Sequence, residues 1–252
     1  MDKDEYRKHF ELEESHWWFK GRRAAAFGVL DRSLKSASQT LSPILDAGCG
    51  TGLNLTALDV LGTAFGCDLA PEALEFCRRR GLTRLSRADV RRLPYRSGSF
   101  GLVTLFDVLY HKDIPDDLEV LGEVRRILAD GGYLLITDSA LEALRGPHDE
   151  AVQGMRRYDK RTLRRKLEEA GFEVVRLSYF FMATFPAIYL SRRHERRRAA
   201  RHPEAAAESD LKPVPRLLNR ALSGLFRIEA AWVSRRNLPV GSTIVALARR
   251  AN

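Results

Sequence analysis

Apolar runs of strand length alternate with helix-length segments through the middle of this chain, and few folds accept that order. Residues 43–47, 101–106 and 133–137 are almost wholly apolar, as suits strands buried on both faces. A helix is expected over 53–61, a short strand over 64–67, and a helix that starts at Pro71 and ends before Gly81. Residues 82–86 read as another strand, 115–129 as a helix stopped by Asp130-Gly131-Gly132, and 159–170 as a charged helix ended by Gly171. Residues 172–179 and 241–248 complete the strand set, and residues 1–33 read as helical with a break near Gly21 and a polar linker after them. Strands joined by such helices form βαβ units, so a doubly wound α/β sheet is expected.

Composition narrows the setting. At 252 residues with 44% hydrophobic content, the chain can bury a large core and is not a disordered segment. No run approaches the roughly 20 apolar residues of a spanning helix. The charged start MDKDEYRKHF has no secretory apolar region. Three cysteines, Cys49, Cys67 and Cys77, are too few for a disulfide framework or a zinc site, so a reducing, cytoplasmic location and no metal are expected.

The first strand runs into Asp46-Ala47-Gly48-Cys49-Gly50-Thr51-Gly52. Glycines at 48, 50 and 52 allow a tight turn and close approach of a ligand just where a helix begins. A nicotinamide fingerprint needs its third glycine at Leu53, and a phosphate-binding P-loop needs a Lys-Ser/Thr pair that is absent. Asp68 stands 22 residues after Asp46, at the end of the second strand, where a carboxylate can accept ribose hydroxyls. Cys49 reads as a small packing residue rather than a nucleophile.

Taken in order, these segments resemble the class I S-adenosylmethionine-dependent methyltransferases over about residues 41–180. DAGCGTG (46–52) is similar to the family's cofactor loop, GCD (66–68) to its ribose-binding acid, and ADV (88–90) to the segment beside the adenine. FGLVTLFDVLYH (100–111) and DGGYLLITD (130–138) are similar to its fourth and fifth strands. The resemblance implies a Rossmann-like seven-stranded sheet whose last two strands, 172–179 and 241–248, form an antiparallel pair. It implies S-adenosyl-L-methionine as cofactor, held by Asp46, Gly48, Cys49, Gly50, Gly52, Asp68, Leu69, Asp89, Val90, Phe106 and Asp107. Asp89 would meet the exocyclic amine and Val90 the ring, and Arg22 or Arg23 the methionine carboxylate.

Acceptor-side candidates lie beyond the strands. His111 follows the fourth strand, beside Tyr110, and His148 the fifth; each is a candidate acid–base group or a solvent-facing histidine. The block Glu14–Arg23 contains His16-Trp17-Trp18-Phe19 and resembles the start of a bacterial subgroup of these enzymes. Two adjacent tryptophans on one short helix cannot both face a core, so one is expected to wall the substrate. In that subgroup a histidine commonly stands where this chain has Met155, which leaves His148 as the stronger candidate and Tyr158 as a pocket wall.

Charge is uneven. Residues 1–170 hold 27 basic and 27 acidic side chains, whereas residues 171–252 hold 15 against 6. The uncharged run 177–191 precedes an arginine cluster from Arg192 to Arg198, which suggests a peripheral contact with an anionic membrane face, a hydrophobic acceptor channel, or a packed insertion with solvated arginines. Residues 201–215 are expected to be a mobile connection. An N-terminal helical lid over 1–40 and a methyltransferase domain over 41–252, with an insertion at about 180–238, complete the organisation. The acceptor expected is a small or lipid- or glycan-linked metabolite. Nucleic acid is disfavoured, because Phe106-Asp107-Val108-Leu109 lacks the motif used on base nitrogens and few aromatics follow residue 190. No obligate protein partner is inferred. A cofactor-binding regulatory or assembly protein without catalysis is the alternative.

Overall fold

The computed structural model describes residues 3–34, 41–199 and 211–251. Its centre is a seven-stranded sheet of β1 (Ile44–Ala47), β2 (Ala64–Asp68), β3 (Leu85–Arg87), β4 (Phe100–Phe106), β5 (Leu128–Ser139), β6 (Phe172–Phe180) and β7 (Thr243–Arg250). The strand order is β3-β2-β1-β4-β5-β7-β6. The first five strands run parallel to one another, and β7 runs antiparallel to both β5 and β6. The expected antiparallel pair is therefore present at one edge of an otherwise parallel sheet.

The helices are α1 (Lys3–Leu12), α2 (Trp17–Leu34), α3 (Leu53–Asp59), α4 (Pro71–Arg79), α5 (Asp117–Ile127), α6 (Pro147–Ala151), α7 (Lys160–Glu169), α8 (Phe185–Ala199) and α9 (Arg216–Val233). Local chemistry sets their ends. Pro71 opens α4, and Gly81 follows it with a φ of 78°. Asp116 caps α5 by accepting from the Leu118 N–H at 2.9 Å, and Asp159 caps α7 through the Thr162 N–H at 2.7 Å.

Several expected boundaries move. The N-terminal helices break at 13–16, and Gly21 lies inside α2. A Cβ at Gly21 would stand 3.0 Å from Phe181 and 3.1 Å from Phe226, so the glycine serves close packing of α2 on α9 rather than a turn. Asp130-Gly131-Gly132 lies within β5, which begins directly after α5 and slips register against β4 between Phe100 and Leu102. Those glycines form an irregular strand entry, not a helix stop. Pro186 does not kink a helix, because it falls in the first turn of α8, where no intrahelical N–H is needed.

The core is continuous from the sheet into α2, whose Ala25, Ala26, Val29 and Leu30 are buried against the strands. Between β6 and β7 the chain inserts α8 and α9. The middle of the connection between them, residues 200–210, lies outside the described residues, as do 35–40. Among the described residues no helix is long and apolar enough to cross a membrane.

Candidate active site

The carboxyl ends of the parallel strands open into a cavity of about 730 Å³. In a doubly wound sheet this edge is where ligands bind, because the loops there diverge toward helices on opposite faces. Gly48 and Gly50 after β1, Asp68 at the end of β2, Asp89 after β3, Phe106 and Asp107 at β4 and Ser139 at β5 all line it.

The three loop glycines have different reasons to be glycine. All have positive φ, at 77°, 53° and 88° for Gly48, Gly50 and Gly52. A Cβ at Gly48 would lie 2.6 Å from Val108, and one at Gly52 would lie 2.7 Å from Leu82, so the protein's own packing requires both. A Cβ at Gly50 meets nothing within 4 Å. Its bare backbone is turned toward open cavity, as close approach of a bound molecule demands. Asp68 braces this loop: one carboxylate oxygen accepts from the Gly50 N–H and the other from the Ala70 N–H, each at 2.9 Å. Each oxygen keeps a further lone pair for a diol. Burial pushes the Asp68 carboxyl above the usual range, against the pull of those two N–H groups. A glycine gap, a diol-accepting carboxylate and the apolar Leu69 and Val90 beside it fit an adenosine-containing cofactor.

Asp89 lines the cavity, but Arg91 grips its carboxylate on both oxygens, with a closest contact of 2.6 Å. That pairing, above all the hydrogen bonds from Arg91, holds Asp89 below the usual carboxylate range. Arg22 reaches in from α2 and forms an ion pair with Asp107, its guanidinium 4.5 Å from the centre of the Trp18 ring. Burial, helped by Arg23, lowers the Arg22 pKa to about 10, which leaves it charged at neutral pH. Asp107 holds a φ of 56°, an uncommon conformation for a side-chain-bearing residue, and one that turns the chain sharply at the end of β4.

Three expected residues stand away from the cavity lining. Asp46 is buried behind the loop, where the Thr104 hydroxyl donates to it at 2.6 Å, and burial raises its pKa to about 7. Gly52 packs under α4. Tyr158 is buried, with its hydroxyl donating to Asp117 at 2.8 Å, so it ties α5 to the chain after β5 instead of walling the pocket. Cys49 lines the cavity, but its thiol is buried 3.8 Å from that of Cys77, and this contact and burial raise its pKa strongly.

On the far side, Trp17, Trp18, Tyr110, His111 and His148 all line the cavity. Both tryptophans belong to one aromatic cluster as well. Trp17 stacks on Phe226 at 5.1 Å between centroids, and Trp18 lies parallel to Phe181 at 6.3 Å. Both tryptophans therefore pack against this cluster and also line the cavity. Burial lowers the His148 pKa to about 4 and also depresses that of His111. Both imidazoles are neutral near pH 7.

The cavity has a wall that motif reading did not reach. His9 and Glu13 come from the N-terminal helix and turn, Arg157 from the segment after α6, Arg192 from α8, and Ser242 and Thr243 from the start of β7. Topology carried the signal for the last two: β7 is antiparallel, so its first residue, Thr243, pairs with Ser139 at the ligand edge. Arg192, expected in a solvated or membrane-facing cluster, is 4% exposed and bonded to Glu195 at 2.6 Å. Arg196 donates to the Ala143 carbonyl at 2.7 Å, and the side chains of Arg197 and Arg198 lie outside those described. The arginine cluster is therefore split between the cavity and the surface.

Glu13 links the N-terminal helices to the cofactor loop. Its carboxylate receives the Thr51 hydroxyl and, at 2.8 Å, Arg80, whose Nε donates to the Thr51 carbonyl at 3.0 Å.

Residues 45–136 match the methyltransferase domain family. The chain is 35% identical over 143 residues to an uncharacterised protein of Mycobacterium tuberculosis, covering 53% of this chain and 47% of that one. It is 36% identical over 118 residues to the demethylmenaquinone methyltransferase of Thermus thermophilus, covering 44% of this chain and 51% of the relative. The chain thus spans about half the length of these curated relatives. The fold is shared with a solved S-adenosylmethionine-dependent methyltransferase of Thermotoga maritima at a TM-score of 0.56 and 19% identity, over 97% of this chain and 99% of that one. Residues 45–136 thus match the methyltransferase domain family, on a sheet whose fold is shared with solved S-adenosylmethionine-dependent methyltransferases.

Proposed function

We propose that this chain transfers a methyl group from S-adenosylmethionine to a small or lipid- or glycan-linked metabolite. The observation that carries the reading is the continuity of the cavity. The glycine loop and Asp68 line the same cavity as Trp17, His148, Arg157, Ile188 and Arg192, side chains outside the cofactor set. A volume near 730 Å³ falls within the range of about 300–1,000 Å³ typical of small-molecule sites, and those further lining residues give an acceptor its wall.

When bound, the cofactor supplies an activated methyl group on a sulfonium, so the chain's own task is alignment, dehydration and handling of one proton. Asp68 accepts the ribose hydroxyls. Val90 flanks the adenine, and Asp89 shares its carboxylate between Arg91 and the exocyclic amine. Arg22, held by its ion pair with Asp107, would hold the methionine carboxylate. The N-terminal segment covers the acceptor side, α1 as its movable part and the first turn of α2 as a fixed wall whose Trp17 and Trp18 exclude water, a reading that the resemblance of His16–Phe19 to the bacterial subgroup supports. His148, kept neutral near pH 7 by burial, is the candidate base for an O–H or N–H nucleophile, whereas Nδ1 of His111 accepts from the Asp113 N–H at 3.3 Å, which leaves His111 the weaker candidate. One relative is named for a quinone acceptor, which supports a hydrophobic acceptor here. The contrary reading, cofactor binding without turnover, has no observation in its favour beyond the fold.

Incubation of the purified protein with methyl-labelled S-adenosylmethionine and cell extract tests the proposal. Label should enter a low-mass or lipid-extractable product. Tight cofactor binding with no labelled product in any fraction would overturn transfer and leave a regulatory role.

A further inference from the structure

Helix α9 is apolar on two sides, and only one of them is covered. Phe226, Ala230 and Val233 pack inward. On the opposite side Leu217 is 82% exposed, Ile228 72%, Trp232 55%, Leu218 51% and Leu225 43%. At 3.6 residues per turn these side chains, with Ala221, fall in one continuous sector of roughly 100° along the helix. A surface helix ordinarily turns charged or polar residues outward, so an apolar outer stripe of five large side chains marks a surface with a partner.

The border of the stripe indicates what the partner is. Arg216, Arg220 and Arg227 run along one flank, and Arg235 and Arg236 follow its end; all five are exposed. The acidic residue of the helix, Glu229, is turned inward, accepting from the N–H groups of Met182 and Ala183 at 2.8 and 3.2 Å. A second copy of the chain would bring no carboxylate on this stripe to meet those arginines. The connection 200–210 contains no apolar side chain larger than alanine and proline, so its sequence holds nothing suited to covering leucines and a tryptophan. Leucine, isoleucine and tryptophan beside a row of arginines are what an anionic bilayer surface takes up, with the apolar chains below the headgroups and the guanidinium groups among the phosphates.

We propose that the outer face of α9 is a docking surface for an anionic lipid bilayer. This shifts the membrane contact from the arginine cluster on α8, where Arg192 is buried, to a face that is open. Asn219 on the same helix holds the wall of the cavity, accepting from the Trp17 N–H at 2.8 Å and donating to the Ser15 carbonyl at 2.9 Å. A docked α9 therefore keeps the tryptophan wall of the cavity next to the bilayer. The proposal is independent of methyl transfer, and vesicle binding can succeed or fail without bearing on it.

Sedimentation with vesicles of phosphatidylcholine alone, or mixed with phosphatidylglycerol, tests it. The protein should pellet with the mixed vesicles and not with the neutral ones, and added salt should weaken the attachment. The double variant Ile228→Ser/Trp232→Ser should lose at least about tenfold in partitioning, from lost apolar burial. The triple variant Arg216→Gln/Arg220→Gln/Arg227→Gln should lose about a hundredfold, near fivefold per charge. Both should keep the wild-type melting temperature and cofactor affinity. If the serine variant melts lower, Leu217→Ser carries the same test at the most exposed position. Equal pelleting with neutral and mixed vesicles, or undiminished binding by the serine variant, overturns the proposal. A wild-type dimer that the serine variant dissociates overturns it too, because a second copy then covers the stripe.

Discussion

At Gly50 the absence of a side chain is not required by any neighbour, whereas at Gly48 and Gly52 it is. Substitutions at the two kinds of position should therefore separate. Gly50→Val is expected to leave the fold near its wild-type stability, apart from backbone strain, while removing cofactor binding; Gly48→Val should lower the melting temperature itself. Asp68→Ala should weaken S-adenosylmethionine binding by roughly 1–3 kcal/mol, because a charge-assisted acceptor is lost. Calorimetric titration decides, and an unchanged affinity for Asp68→Ala removes the ribose assignment. Asp46 predicts a different observable. Burial raises its folded pKa to about 7, far above the ordinary carboxylate value an unfolded chain restores. Between about pH 4 and pH 7 the folded state keeps a proton that the unfolded state has lost, so this residue's contribution to stability declines as pH rises through that window. Asp138 carries the same shift to about 7 and acts in the same direction. Asp46→Asn should flatten part of the slope in melts taken across the window, and Asp46→Asn with Asp138→Asn more of it; a full slope in the double variant contradicts the assignment. The place of Gly50 and Asp68 in the cavity lining was legible in the sequence because a glycine loop and a strand-end acid stand at a fixed spacing. His9 and Arg192 were not, because helices distant in the chain deliver them, and no spacing rule connects position 9 or 192 to the glycine loop.

At the scale of elements, the parallel strands and their helices were readable because two-sided burial makes near-continuous apolar runs and helix ends carry caps. The errors fall where tertiary packing overrides a local signal. Gly21 reads as a break, yet it sits within α2 because Phe181 and Phe226 occupy the space a Cβ would need. Asp130-Gly131-Gly132 reads as a stop, yet β5 absorbs it through a register slip against β4. The uncharged run 177–191 reads as one apolar insertion, and it divides between the end of β6 and the first half of α8. The Gly21 contact yields an element-scale prediction. Gly21→Ala should cost about 1 kcal/mol or less, because higher helix propensity offsets part of a tight contact, whereas Gly21→Val should cost about 1–3 kcal/mol by forcing α2 and α9 apart. Thermal melts measure the difference. Because Trp17 stacks on Phe226, the valine variant should also disturb the cavity wall, seen as altered tryptophan fluorescence. A valine variant as stable as wild type would mean the two helices are not held at this contact.

For the molecule as a whole, the question is whether the N-terminal helices are a detachable cover or part of the body. Their burial divides them. In α1 the inward residues are Glu5 and Tyr6, with the Phe10 ring packed at a tilt against Phe76, 4.9 Å between centroids, so the helix rests on α4 through a small satellite contact. In α2, Phe19, Ala25, Ala26, Val29 and Leu30 are each at most 1% exposed and merge with the sheet's core. Burying Phe19, Val29 and Leu30 alone stabilises the fold by about 5–9 kcal/mol, comparable with the whole net stability of an ordinary domain. Only α1 and the turn after it can then behave as a moving cover; α2 is a fixed support that presents Arg22, Trp17 and Trp18 to the cavity. Deletion of residues 1–12 should leave a cooperative melt at a modestly lower temperature, while cofactor affinity falls because Tyr6 and His9 no longer wall the cavity. Deletion of residues 1–34 should abolish cooperative unfolding altogether. Circular dichroism melts and calorimetric titration on the two truncations read both outcomes. A cooperative fold that survives loss of residues 1–34 would make the whole N-terminal pair a lid, as the sequence suggests, and would require the sheet's exposed face to find another cover.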